Sequence, residues 1–106
     1  MRWLYHALPR AELPAAGARR FAPPSLAREG FLHASYRDLV AESARLYLPA
    51  SADPVVLQID PRRLDVPVTV VETPRGPMPH IHGAVPADAI VGTLELDELG
   101  AAPDAL

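Results

Sequence analysis

The alternation of apolar and polar positions breaks this chain into short segments. RWLYHAL (2–8) is an apolar, aromatic run stopped by Pro9, and it predicts a strand. PRAELPAAGA suggests a brief helical turn or two, broken at Pro14 and Gly17. FAPPS reads as a loop, with Ser25 placed to cap the turn LARE and Gly30 to close it. FLHAS (31–35) predicts a second strand. YRDLVAESARLYL (36–48) is the one long helix: Leu39, Val40, Ser43 and Tyr47 recur at helical spacing, and Pro49 ends it. Ser35 stands before it with Asp38 three residues on, the spacing of a capping box. PVVLQID (54–60), PVTVVE (67–72) and AIVGTLEL (89–96) predict further strands. TPRGPMP (73–79) reads as an irregular, mobile loop, and HIHGAVP as a short extended piece. Several strands are apolar on both faces, which predicts a sheet covered on both sides.

Strands outnumber helices, so the class is α+β rather than a doubly wound order. The 106 residues predict one domain, over 1–98, with the Ala-rich end LGAAPDAL (99–106) fraying as a tail. Thirteen prolines keep every element short.

Composition narrows the chemistry. There is no cysteine, which removes disulfides, thiolate nucleophiles and Cys-based metal sites. The net charge of −3 does not favour a DNA-binding surface. No apolar run approaches the ~20 residues of a membrane span, and the N-terminus lacks the apolar core of a signal peptide. The expectation is a cytoplasmic protein, a monomer or weak dimer.

The chemistry that remains sits on four histidines: His6, His33, His80 and His82. Strand parity puts His33 on one face with Phe31 and Ser35, and His80 on one face with His82. His6 shares a face with Leu4 and Leu8. A histidine between apolar neighbours is often a hydrogen-bonded core residue, but three short segments each carrying one point to a shared site. The pair at 80 and 82 has metal-ligand spacing, yet no acidic or Cys ligand lies near it, so no metal is expected. No G-x-S-x-G surrounds Ser35, so it is not read as a nucleophile. Arg19, Arg20, Arg37, Arg62, Arg63 and Arg75 are scattered; one or two near the histidines could hold a phosphate. Glu72 ends a strand and reads as an edge residue.

The order LYH, PSLAREGFLHAS, helix, VVLQIDPRRL and PHIHGAVPADAIV resembles the bacterial family known as domain of unknown function 952 over nearly the whole chain. The family's usual Tyr is replaced by His82 and its common Cys by Ala34. That family is similar in fold to the ADP-ribosyltransferases, and LYH…FLHAS resembles the opening of the RNA 2′-phosphotransferases. The resemblance implies a small ADP-ribosyltransferase-like fold: a twisted, split β-sheet with one long helix and short helical turns. It also implies NAD as substrate, or a related nucleotide or ribose phosphate. His6 would contact the ribose, His33 and Ser35 would lie beside the nicotinamide ribose, and His80 would replace the usual later-strand Glu. These three histidines are the candidate catalytic residues, with Ser35, Tyr5, Phe31 and His82 as substrate-binding residues and Trp3 as a further aromatic wall. RNA 2′-phosphate is the less favoured ligand. Cleaving a glycosidic bond passes through an oxocarbenium-like state, which such a cleft would position. The lead expectation is an enzyme, or degenerate enzyme, of the ADP-ribosyl- or 2′-phosphotransferase type. The alternatives are a non-catalytic nucleotide-binding module, favoured by the missing Glu, and a small metal-dependent hydrolase. His6→Ala and His33→Ala are expected to behave alike.

Overall fold

The computed structural model describes residues 1–106. Its elements run β1 (Leu4–Pro9), β2 (Arg20–Phe21), α1 (Pro24–Glu29), β3 (Leu32–His33), α2 (Arg37–Tyr47), β4 (Pro54–Ile59), β5 (Val68–Thr73), β6 (Gly76–Ile81), β7 (Val85–Pro86) and β8 (Ile90–Glu95), joined by short 3-10 turns. The result is a small mixed fold of antiparallel sheets with few helices.

The strands form two three-stranded sheets, β1-β4-β8 and β3-β6-β5, and a small β2-β7 pair. The two sheets are stitched together at one point. Tyr5 N–H donates to Ser35 O at 2.8 Å and Ser35 N–H donates to Tyr5 O at 2.7 Å, so β1 meets the end of β3 there.

β4 is the centre of the first sheet, and its β-branched run suits a strand buried on both faces. Val55, Leu57 and Ile59 face a cluster built with Leu4, Leu8, Phe21, Leu32, Ile81 and Val85, which fills the space between the two sheets. Val56 faces the opposite cluster with Tyr5, Val40, Leu99 and Ala102, where α2 covers the sheet. The buried stripe of α2 is Val40 and Ala44. Ser43 flanks that stripe half-buried, and Tyr47 continues it into the last turn, where the side chain is exposed rather than packed on the core.

Four expectations change. The segment 73–79 is a hairpin rather than a mobile loop: β5 turns through Pro74 and Arg75 into β6. Proline normally breaks a central strand, but Pro77 and Pro79 both occupy odd positions of β6. Those positions turn their backbone toward β3, as the bond from Ala34 N–H to Pro79 O shows. The even positions bond β5, and β3 pairs with β6 over only two residues, so two missing N–H groups cost little. Ser35 does not cap α2; Tyr36 holds the N-cap position and the Ser35 hydroxyl donates to Ser43 Oγ at 3.3 Å. Ser25 does not cap α1, because Pro23 precedes the helix and Ser25 lies inside it. Gly30 does end that helix, in the left-handed conformation at φ 80°. The fourth change is at the C-terminus, where 99–106 was expected to fray. Leu99 and Ala102 are buried, Trp3 N–H donates to Asp104 O, and Leu106 N–H donates to Met1 O.

Candidate functional site

A cleft of about 660 Å³ opens where the two sheets meet. β1 supplies His6, β3 and the residues after it supply His33 and Ser35, and β6 supplies His80. Each arrives for a local reason. His6 lies between Leu4 and Leu8 on the side of β1 that faces the second sheet, so alternation aims it into the gap. His33 and His80 are directly opposite one another across the β3–β6 pair. Their rings meet edge to face with centroids 5.3 Å apart.

The three imidazoles sit in different environments. His6 is only 8% exposed, packed on Phe21, and its Nδ1–H donates to His33 O at 2.6 Å. That bond fixes the tautomer, so Nε2 carries the lone pair. Nε2 has no partner in the protein and is not sealed from solvent, since no buried side-chain nitrogen or oxygen is left unpaired. Burial lowers the His6 pKa to about 4, against the raising effect of the His33 carbonyl. His6 is therefore a neutral hydrogen-bond acceptor at neutral pH. His80 stacks on Phe31 at a centroid distance of 4.0 Å. Burial, then the neighbouring His33 and His82, lower its pKa, and Glu29 opposes them. His33 is largely exposed and its Nε2 lies 3.0 Å from Glu29 Oε2, an ion pair when the ring is protonated.

The other expected site residues divide. Ser35 lines the cleft. Phe31 does not; it lies behind the histidines, edge-on to His33 and stacked on His80. His82 is also outside the cleft, exposed and hydrogen-bonded through Nε2 to Thr69 Oγ1 at 2.7 Å. Tyr5 cannot touch a ligand there. Strand alternation turns it into the opposite core, where it is fully buried and its hydroxyl donates to Pro103 O at 2.5 Å. Burial pushes that phenol above its ordinary pKa, so it stays protonated. Trp3 packs in the same opposite cluster. Glu72 is exposed on β5, away from the cleft lining.

The sequence reading missed several cleft residues: Glu12, Arg28, Glu29, Ser43 and Tyr47. Two signals were available. Glu29 stands four residues before His33 across the tight Gly30 turn, and Ser43 and Tyr47 share a helix face. The histidines and nearby carboxylates do not assemble into any group of three that could hold a metal ion. No helix is long and apolar enough to cross a membrane.

The fold has a solved counterpart. The protein CC0527 from Caulobacter crescentus, known from an X-ray crystal structure, is similar with a TM-score of 0.73 and 24% identity, over 86% of this chain and 82% of that one. A double-methionine variant of the same protein matches with the same TM-score and coverage at 23% identity. A comparison with curated proteins finds no match. Residues 7–93, which include the strands bearing His33 and His80, match the family described as "Protein of unknown function (DUF952)", and the chain belongs to that family.

Proposed function

We propose that the cleft binds NAD or a related ribose-phosphate compound, in a domain of the ADP-ribosyltransferase-like type. The observation that carries this reading is the convergence of His6, His33 and His80 on one cleft at the seam of a split sheet. The order of those residues along the chain supports the same reading, with Tyr5-His6 on the first strand and His33-x-Ser35 on the second. In this reading His6 Nε2 accepts a hydrogen bond from a ribose hydroxyl. His33 and Ser35 contact the same sugar, and His80 closes the far side.

A second reading, a binding module without catalysis, is favoured by one observation. His6 is buried with its Nδ1–H committed to the His33 carbonyl, and burial pushes its pKa down to about 4, so at neutral pH it accepts hydrogen bonds but holds a proton poorly. In this reading His80 stands where the transferases carry a strand carboxylate.

Titration calorimetry with NAD, ADP-ribose and 2′-phosphorylated RNA tests the reading. Binding of one of them, abolished by His33→Ala or His80→Ala in a protein that still melts cooperatively, is the expected result. Nicotinamide release from bound NAD, followed by chromatography, separates the transferase from the binding module. No binding by any of the three sinks both.

A further inference from the structure

Most arginines whose guanidinium meets a side chain in this protein are locked to a carboxylate. Arg2 is 2.8 Å from Asp104, Arg10 is 2.7 Å from both Asp53 and Glu95, Arg20 pairs with Asp65, and Arg62 is 3.0 Å from Asp60. Arg75 is built differently. It sits in the β5–β6 turn, and its side chain is only 24% exposed. Its nearest carboxylate oxygen, on Glu42, is 3.8 Å away. Its other contacts are slack and go to neutral hydroxyls: Nη1 to Ser43 Oγ and Nη2 to Tyr47 OH, both at 3.4 Å. Ser43 Oγ in turn receives the Ser35 hydroxyl at 3.3 Å.

These four side chains line one wall of the cleft. Together they present hydroxyl and guanidinium donors with long, weak mutual contacts. A half-buried guanidinium that has lost water and gained no close carboxylate retains donor capacity for an incoming anion. Hydroxyls that now share protons loosely can turn outward to the same anion. A neutral polar ligand would leave the charge uncompensated, whereas a phosphate oxygen pair fits the planar guanidinium bidentately.

We propose that Arg75, with Ser43 and Tyr47, forms a phosphate subsite of the cleft, so that the ligand is a phosphate ester whose sugar points toward the histidines. This rests on the ribose-phosphate reading above and specifies which end of the ligand lies where. The cleft then has two halves. Arg75, Ser43 and Tyr47 hold the anion, and His6, His33 and His80 meet the sugar. Arg28, from the last turn of α1, reaches the same cleft and is available to a second phosphate.

The test is calorimetry at fixed ionic strength with AMP, adenosine and inorganic phosphate. The proteins are the wild type, Arg75→Gln, Tyr47→Phe, His33→Ala and, as a surface control outside this cleft, Arg45→Gln. The wild type should bind AMP at least about tenfold more tightly than adenosine, the worth of one charge-assisted contact. Arg75→Gln should erase that difference and leave adenosine unchanged, with Tyr47→Phe weaker in the same direction and Arg45→Gln silent. Unchanged melting temperature of Arg75→Gln is expected, since its contacts are slack. If Arg75→Gln binds AMP like the wild type while His33→Ala does not, the phosphate subsite is wrong and the ribose reading stands. If no nucleotide binds but inorganic phosphate does, and Arg75→Gln abolishes it, the subsite stands and the ribose reading falls. If no phosphate-bearing probe binds, both fall.

Discussion

The two three-stranded sheets have the same size and opposite construction. In β1-β4-β8, the central strand is buried on both faces and every residue of it from Val55 to Leu57 is essentially inaccessible. In β3-β6-β5, the edge strand β5 leaves Val70 and Val71 half exposed, the central strand carries two prolines, and β3 pairs over two residues. The first sheet carries one cleft histidine, His6, pinned by a hydrogen bond. The second carries His33 and His80, held by ring contacts and one carboxylate. The difference predicts a rigid wall and an adjustable one for the cleft. Fold stability should reside in the first and ligand response in the second.

The largest effect that would break this comparison lies in the strand cores. Leu57→Ala removes a fully buried side chain from the cluster between the sheets and should cost about 3 kcal/mol, within the usual range for such truncations. Val71→Ala on β5 removes a side chain that is 39% exposed and should cost under ~1 kcal/mol. Chemical denaturation of both variants measures the contrast. Equal losses would mean that the second sheet is as tightly packed as the first.

The histidines give the next effect, and here the expectation that His6→Ala and His33→Ala behave alike gives way. His6 is buried and bonded to a backbone carbonyl, so His6→Ala should cost about 2 to 4 kcal/mol. His33 is 60% exposed, so His33→Ala should cost under ~1 kcal/mol while removing ligand contacts. The same burial makes stability depend on pH. Unfolded His6 takes up a proton below about pH 6.5, and folded His6 does so only near pH 4. Between those values the unfolded chain binds more protons. The His6 contribution to stability should therefore fall as pH drops through that window, by about 2 to 3 kcal/mol at pH 4.5. His6→Asn keeps a side-chain N–H for the His33 carbonyl and removes the titration. The stability gap between wild type and His6→Asn, from urea melts at pH 7.5 and 4.5, should shift against the wild type at the lower pH. A constant gap would show that His6 is not held neutral by burial.

The same contrast explains what the sequence disclosed. β1, β4, β5, β8 and α2 were legible because alternation, β-branched runs and helical spacing reflect burial that local residues already encode. The meeting of His33 and His80 was not legible in the same way: parity groups His33 with Ser35 and His80 with His82, and only the β3–β6 pairing sets the two rings opposite one another. β6 was not legible, because proline is excluded from a central strand unless its missing N–H faces a gap, and only the pairing partner reveals that gap. The cleft's polar wall was hidden too. Ser43 and Tyr47 lie beside and beyond the buried Val40–Ala44 stripe of α2, and spacing alone does not say where along the helix the core ends and the cleft begins. Tyr5 was misplaced although its parity opposite His6 was readable. The family resemblance drew it toward the ligand, while alternation along β1 had already turned it away.

Tyr5 supplies the smallest effect. If the first sheet is the rigid wall, the C-terminal residues that brace it should be part of that rigidity. Three bonds tie them down: Tyr5 hydroxyl to Pro103 O, Trp3 N–H to Asp104 O, and Leu106 N–H to Met1 O. Tyr5→Phe keeps the ring in its cluster and removes only the first of them. Pro103 is exposed, so its carbonyl can turn to water once released. The cost should be about 1 kcal/mol, the net worth of one hydrogen bond, rather than the larger penalty of a stranded buried acceptor. Its signature should be local. Hydrogen exchange should quicken at the Trp3 and Leu106 amides, with little change at the amides of β6, because the C-terminal residues pack on the first sheet and α2. A loss spread evenly over both sheets would show that the tail supports the whole molecule, and the division into a rigid and an adjustable wall would have to be redrawn.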